Sequence, residues 1–354
     1  MPDVVRLPDV VGLTADYEAW LGGRIPLIAD DLDRKHRELA DDQMRFLRGT
    51  YYLWLVSLPT EVFEGPDVPC VGDLHVENFG TWQDARGVRR WGVNDLDELA
   101  WASYALDLVR LATSAVITPH LRLSAEQVCD TLLSTWRAAN ASTAVDLTAP
   151  RARHLLALVP AAKSAKRYYT GLAAAPAAQP APPAVAQAVA RSAPPGWRPS
   201  WHTRVAGTGS LGHPRVVAVA GTTAREAKLL GPPTATWAAA HRTGPLPVQD
   251  AALLGRVHAA VTGPEPLRAI DGWLLRRLGP DVVRIQLAGL AGKDARRLLQ
   301  SMGRAVVDVH GTDPAALAAA RAHEATRKDD WLHRLVSTTV ASSHDQFAGW
   351  AAQS

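Results

Sequence analysis

The sequence predicts an α+β protein with two lobes, in which a small antiparallel sheet lobe is inserted into a larger helical lobe. Apolar residues recur at helical spacing towards both ends of the chain. A Pro- and Ala-rich segment interrupts the sequence, and period-two hydrophobicity with glycine turns follows it. We therefore divide the 354 residues into a first helical part, 1–172, a linker, 173–200, a sheet lobe, 201–290, and a second helical part, 291–354.

Composition restricts the class of protein. Hydrophobic residues make up 47% and charged residues 21%, which is ordinary for a folded chain and excludes a wholly disordered one. The net charge of +3 is too balanced to indicate a nucleic-acid partner. Two cysteines, Cys70 and Cys129, are too few for a disulfide framework. Without a signal peptide or an apolar run of about 18 residues, we expect a cytoplasmic protein with no membrane partner; its oligomeric state stays open.

The first helical part contains an interruption that looks functional. Residues 14–58 read as mostly helix, and residues 101–145 return to helix. Between them, residues 66–98 combine short apolar runs, glycines and dense polar residues, which is typical of short strands and functional loops.

The sheet lobe is predicted as a series of hairpins. Residues 202–230 read as a strand, a glycine turn, a second strand, a turn at Gly221 and a third strand. AIDGWLLRRLG and DVVRIQLAG are predicted to pair as another hairpin around Gly279 and Pro280, with a helix near 248–262. From residue 293 the chain is again helical, with one apolar face.

The densest polar cluster is VGDLHVENFG, residues 71–80. Asp73 and Asn78 are five residues apart, as are the base and the metal-binding asparagine of the H-R-D-x-x-x-x-N loop of kinases. A carboxylate there takes the proton of an attacking hydroxyl, and the amide oxygen helps to hold Mg²⁺. A capped turn is an equally weighted interpretation of this motif alone.

A second acidic cluster follows in WGVNDLDEL, residues 91–99. A Mg²⁺ ion that bridges phosphates needs a carboxylate ligand, and Asp95 after a short strand would supply one. Asp97 is an alternative to Asp95, and the sequence does not decide between them. The competing interpretation is a solvated acidic turn, against which stand the apolar neighbours Trp91, Val93 and Leu96.

The third element is the glycine-rich turn GTGSLG, which consists of Gly207, Thr208, Gly209, Ser210, Leu211 and Gly212. A strand follows it rather than a helix, so it does not predict a dinucleotide-binding fold of the Rossmann type. A glycine turn between antiparallel strands is how kinases cover the phosphates of ATP. Lys228, sixteen residues past Gly212, lies on the next predicted strand, where a lysine would neutralise those phosphates. A plain hairpin turn and a surface lysine are the ordinary alternatives.

These are the parts of an ATP-dependent phosphotransferase, but their order is unusual. In kinases the glycine loop and lysine precede the catalytic loop, whereas here they follow it. A circular permutation resolves the order, because chain ends lie at the surface where permutation is tolerated.

These segments resemble the bacterial domain-of-unknown-function family 2252, which is similar to the kinase-like, aminoglycoside-phosphotransferase-like superfamily. The resemblance rests on MRFLRGTYY, GDLHVENFG, VNDLDE with ALDLVRLATS, and GTGSLG. It implies a circularly permuted, bilobal protein-kinase-like fold with ATP between the lobes. By this resemblance Asp73 is the catalytic base, Asn78 and Asp95 hold Mg²⁺, Lys228 binds phosphate, and Asp107 braces the catalytic loop.

Three further positions are open. Arg48, at the end of a predicted helix, either binds phosphate or acceptor or answers the helix dipole. His75 is expected to orient the loop rather than to transfer protons. No glutamate partner for Lys228 is evident: Asp250 is the nearest acidic residue on a predicted helix, and Glu226 is too close on the same strand.

The leading hypothesis is a small-molecule kinase that moves the γ-phosphate of ATP to a hydroxyl. Its partners would be a nucleotide and a small-molecule acceptor, which the sequence cannot identify. One alternative is a nucleotide-binding pseudokinase or regulatory module. Another is a metal-dependent phosphoesterase, although the downstream histidine clusters of that class are missing from the sequence. A protein kinase is disfavoured because no activation loop is evident after Asp95.

Overall fold

Helices and three small antiparallel sheets make up the protein, seen in a computed structural model that describes residues 9–84, 86–161, 164–261 and 268–353. The chain is therefore of mixed α and β structure. Among the described helices, none is both long and apolar enough to cross a membrane.

The helices are given in chain order: α1 Val10–Gly22, α2 Ala29–Asp41, α3 Gln43–Gly49, α4 Tyr51–Ser57, α5 Ala105–Ile117, α6 Ala125–Ala138, α7 Arg153–Leu156, α8 Ala165–Ala173, α9 Pro183–Arg191, α10 Thr234–Ala238, α11 Ala251–Val261, α12 Gly292–His310, α13 Pro314–Glu324 and α14 Trp331–Ala351. The strands are β1 Asp67–Cys70, β2 Phe79–Gln83, β3 Arg89–Val93, β4 Ala100–Ser103, β5 Val145–Asp146, β6 Ser200–Thr203, β7 Arg215–Ala220, β8 Thr223–Leu229, β9 Arg268–Ile270 and β10 Trp273–Leu278. Two 3₁₀ turns lie at Thr60–Phe63 and Pro150–Ala152.

Helix α5 is at the centre of the helical body. Every residue from Ala105 to Ala115 is buried, so this helix is enclosed on all sides rather than amphipathic. Helices α14 and α6 pack against it, and α12 packs against α6 and β1. The C-terminal helices thus complete the core that the first 160 residues begin.

The largest sheet has five antiparallel strands in the order β6-β7-β8-β10-β9. The predicted meander from β6 to β8 is confirmed, with its second turn at Gly221, whose φ of +59° suits glycine. Helix α9 covers one face through Val185 and Val189, and α8 covers part of the other through Tyr169.

The last hairpin of this sheet differs from the prediction. β9 and β10 pair with each other and turn at Asp271 and Gly272, both with positive φ, not at Gly279 and Pro280. Asp-Gly is a strong signal for a two-residue hairpin turn, which the prediction overlooked. Residues 280–290 leave the sheet and cross to the helical body, where Thr81 N–H donates to Val283 O at 2.8 Å.

The Pro- and Ala-rich segment 173–200 is more than a spacer. Its helix α9 buries Val185, Ala188 and Val189 against the sheet, and Arg225 of β8 donates to the Ser192 carbonyl just beyond the helix. The sequence analysis assigned this segment to a linker on the basis of its Pro- and Ala-rich composition. The structure adds that this helix forms part of the sheet lobe's own core.

Candidate functional site

A cavity of about 390 Å³ lies between the five-stranded sheet and the helical body. Its wall includes most of the residues singled out from the sequence, namely Arg48, Asp73, His75, Asn78, Asp95, Asp97, Gly207, Gly209, Ser210 and Lys228. Thr208, Gly212 and Asp107 are outside that wall. Residues up to 180 positions apart in the chain therefore meet around one space.

The loop that carries Asp73 is held from behind by Asp107 of α5. The Val71 and Gly72 N–H groups donate to the two carboxylate oxygens of Asp107 at 2.8 and 2.9 Å. Asp107 is completely buried. Gly72 has a φ of +84°, and a Cβ there would approach Glu98 O to 2.5 Å, so only glycine fits this position.

A second layer orients Asp107. Trp136 Nε1–H donates to His310 Nδ1 at 3.1 Å, which places the imidazole proton on Nε2, 3.1 Å from Asp107 Oδ2. Cys70 Sγ is also close, and one ligand atom from each of Cys70, Asp107 and His310 lies within 4.8 Å of the others. The hydrogen bonds already made by these groups explain their proximity.

Asp73 has a partner that the sequence analysis missed. Arg110, three residues after Asp107 on α5, donates from Nε and Nη2 to Asp73 Oδ1 at 3.1 and 2.6 Å. Burial raises the pKa of the Asp73 carboxyl, and the charge of Arg110 partly offsets this effect. The side chain of Asp73 is 23% exposed, so it faces the cavity while Arg110 is wholly enclosed. Asp107 and Arg110 are three residues apart and therefore lie on the same face of α5. Since Asp107 was expected to brace the loop of Asp73, this spacing could have indicated Arg110 as a second contact of that loop.

Asn78 bridges the two polar loops. Its Nδ2 donates to Asp73 O at 3.2 Å and to Asp95 O at 3.0 Å, which fixes the orientation of the amide. Its Oδ1 is buried and has no hydrogen-bond partner among the described residues. An unpaired buried amide oxygen next to an acidic loop is a suitable ligand for a hard cation.

Lys228 and Asp97 form an ion pair across the cavity. Burial lowers the pKa of the Lys228 ammonium, and the nearby charge of Asp95 raises it in part. Neither acidic candidate from the sequence contacts Lys228: Asp250 pairs with Arg256, and Glu226 binds arginines. Asp95 and Asp97 both line the cavity, but Asp95 is exposed whereas Asp97 is half-buried.

Glu98 is a further carboxylate in the wall of the cavity. Its Oε1 accepts from Thr234 Oγ1 at 2.6 Å, at the start of α10. Burial raises the pKa of Glu98 to about 7. The two hydrogen bonds from Thr234 lower the pKa only in part, and the described contacts of Glu98 include no ion pair that would lower it further.

The glycine-rich turn lies against the end of α3. A Cβ on Gly209 would approach the Arg48 carbonyl oxygen to 3.2 Å, and one on Gly212, whose φ is +94°, would approach Leu32 Cδ2 to 2.7 Å. Gly212 O also accepts from Ile28 N–H at 2.9 Å. Glycine therefore allows a close approach of two backbone segments at Gly209, and the positive φ favours glycine at Gly212.

Arg48, near the end of α3, contributes a positive charge to the cavity wall. Its Nη1 donates to Glu77 Oε2 at 2.5 Å, and Arg284 Nη1 lies 3.7 Å from the same oxygen. His75 accepts from Glu77 N–H at Nδ1, 3.2 Å away, and burial with the nearby arginine charges lowers its pKa well below the ordinary value. His75 is therefore neutral at physiological pH.

Comparison with known proteins identifies one similarity. A family model described as an uncharacterized protein conserved in bacteria (DUF2252) matches residues 27–163. This range contains Arg48, Asp73, Asn78, Asp95 and Asp107, whereas the glycine-rich turn and Lys228 lie beyond it. No curated protein and no solved structure shows significant similarity to the chain.

Proposed function

We propose that the protein is an ATP-dependent phosphotransferase that moves the γ-phosphate to a hydroxyl of a small-molecule acceptor. One observation carries the proposal: Asp73, Asn78, Asp95, the glycine-rich turn and Lys228 line a single cavity. Each of these features is common alone, but their convergence from distant parts of the chain is what phosphoryl transfer requires.

The strand arrangement supports a permuted kinase-like fold. The glycine-rich turn connects the first two strands of the five-stranded sheet, and Lys228 lies on the third. Kinases place the glycine loop and the phosphate-binding lysine in the same way. Because the helices α12 to α14 return to the helical body, moving the chain ends would give the usual kinase order.

The residues present fit both Mg²⁺ and a nucleotide. The unpaired Asn78 Oδ1 and the carboxylate of Asp95 are the oxygen ligands that would hold the ion. Asp97 is the alternative ligand, but its pairing with Lys228 makes Asp95 the better candidate. Bound there, Mg²⁺ would neutralise charge on the phosphates. A cytoplasmic location remains part of this proposal.

Asp73 would accept the proton of the acceptor hydroxyl while the new oxygen–phosphorus bond forms. The bond between the γ-phosphorus and the β-phosphate oxygen breaks, and ADP leaves with that electron pair. Arg110 holds Oδ1 of Asp73 in position. Asp107 keeps the loop rigid from behind, so the carboxylate is positioned before the acceptor binds.

The test is transfer of phosphate from MgATP to a panel of hydroxylated metabolites, with the mass of each product as the readout. We expect one acceptor to gain a phosphate group in the presence of the wild-type protein and not of Asp73→Asn. Asp130→Asn, an exposed aspartate on α6, is the matched control and should retain full activity.

Two outcomes would favour the alternatives. Nucleotide binding without any transfer would indicate a pseudokinase or regulatory module. Hydrolysis of phosphate esters in the absence of nucleotide would indicate a metal-dependent phosphoesterase, although the described wall of the cavity contains only two histidines, His75 and His213.

A further inference from the structure

Three arginines surround one buried glutamate on the cavity side of the sheet. Glu226 of β8 is 1% exposed. Its Oε1 accepts from Arg276 Nε at 2.6 Å and from Arg215 Nη1 at 3.1 Å, and its Oε2 is bound by Arg204 Nη1. The register explains the cluster, because Arg276 lies directly opposite Glu226 on β10 and Arg215 lies opposite Lys228, two residues further along β8.

The charges of this cluster do not balance. Three guanidinium groups share one carboxylate, which leaves two positive charges, and Lys228 is already matched by Asp97. Burial raises the pKa of Glu226, but the three arginines outweigh it and hold the pKa well below its ordinary value, so the glutamate stays charged. Even if Asp95 is counted as a partner, one positive charge remains. Uncompensated charge at a largely buried site is costly, and a bound anion would remove that cost.

The cluster opens onto the cavity. Arg204, Arg215 and Arg276 all line it, while Glu226 lies behind them. The side chains of Arg204 and Arg276 are 26% and 25% exposed. Each guanidinium has five N–H donors, and the described hydrogen bonds of these two residues use one donor each.

The cluster is also tied to the glycine-rich turn. Arg215 Nη2 donates to Ser210 Oγ at 2.7 Å while its Nη1 binds Glu226. The side chain of Arg215 is only 4% exposed, so its part is to connect the turn to the sheet. Arg204 and Arg276 are then the two arginines placed to meet a ligand.

We propose that Arg204 and Arg276, oriented by Glu226, form an anion site for a polyphosphate chain. The planar fork of arginine matches phosphate oxygens, and two such forks side by side suit a chain of linked phosphates better than a single orthophosphate. The identification of that chain as the phosphates of the nucleotide donor rests on the proposed function. The anion site itself follows from the charge imbalance and the geometry.

The experiment is calorimetric titration with inorganic tripolyphosphate and with orthophosphate, at constant ionic strength and without Mg²⁺. We expect tripolyphosphate to bind more tightly than orthophosphate. Arg204→Ala and Arg276→Ala should each weaken tripolyphosphate binding roughly 10- to 100-fold, as expected for the loss of charge-assisted hydrogen bonds. Arg256→Ala removes the same charge at the surface, where Arg256 is 57% exposed, and should change the affinity less than about twofold.

We expect Arg204→Ala to fold normally, because Arg204 is partly exposed and follows the end of β6. Loss of tripolyphosphate affinity in this variant would therefore not be due to misfolding. Equal affinity of Arg204→Ala, Arg276→Ala and the wild type for tripolyphosphate would overturn the anion site, even if phosphotransfer is found. Loss of affinity in both variants, in a protein that transfers no phosphate, would support the anion site and contradict the proposed function. Binding of tripolyphosphate but not of ATP would support the site and overturn its assignment to a nucleotide.

Discussion

Replacing Asp107 with asparagine should destabilise the protein by about 4 kcal/mol, within a range of about 2–6 kcal/mol. Asp107 accepts three hydrogen bonds at a completely buried position, from Val71 N–H, Gly72 N–H and His310 Nε2–H. Asparagine has the same shape but only one acceptor oxygen. Its better orientation keeps the oxygen towards Val71 and His310 and turns the amide nitrogen towards Gly72.

In that orientation the Gly72 N–H faces the N–H group of the new amide. The Gly72 N–H loses its partner, and the new amide group is itself buried without an acceptor. Each buried unsatisfied donor costs about 1–3 kcal/mol, and the two remaining hydrogen bonds lose their charge assistance. The two unsatisfied donors together give the range stated above.

Urea unfolding followed by circular dichroism measures this change, with the midpoint and the slope fitted separately. Asp130→Asn is the control, because an exposed aspartate should change the free energy of unfolding by less than about 0.5 kcal/mol. A loss below about 1 kcal/mol in Asp107→Asn at an unchanged slope would refute the reasoning. It would mean that the loop does not depend on this carboxylate.

Three other outcomes are expected. Asp73→Asn should lower turnover roughly 10²- to 10⁴-fold with little change in nucleotide affinity, and near-normal turnover would remove Asp73 from the mechanism. Lys228→Ala should weaken ATP use and leave Asp97 without its partner, while circular dichroism shows an intact fold; unchanged affinity and turnover would assign the phosphates to other cations. Burial raises the pKa of Asp308 to about 6 from an ordinary 3.8, so the folded state favours the protonated form. Relative to Asp308→Asn, the wild type should therefore lose up to about 3 kcal/mol of stability as pH rises from about 4 to 6, and parallel pH profiles of the two proteins would contradict this.

Local sequence signals predicted the strands better than the way the strands pair. The turn at Gly221 was identified because period-two hydrophobicity on both sides fixes a short hairpin. The final hairpin was placed one strand too late, at Gly279 and Pro280. β10 already has β8 on one side and β9 on the other, so no edge of it is available to residues 280–290. Which strands compete for an edge is a long-range property that turn residues alone do not show.

The same limit applies to the candidate site. The spacing of Asp73 and Asn78 indicated one loop, and the structure places both on the cavity wall. The partners of these residues come from further away. Arg110 reaches Asp73 from a position 37 residues later, and Asp97 reaches Lys228 across 131 residues. A search for a helical glutamate could not find Asp97, because the pairing depends on how the lobes meet.

The return of the last helices to the first ones affects how the protein is made. Helix α5 leaves the ribosome with almost every side chain apolar or destined for burial, yet α14, which covers it, begins more than 200 residues later. At about 5–20 residues per second, this delay amounts to roughly 10–40 s. During that time the sheet lobe can fold, since its strands and the two helices on its faces lie within residues 165–278. The helical body must wait for the end of the chain, so the nascent protein exposes a surface on which chaperones would act.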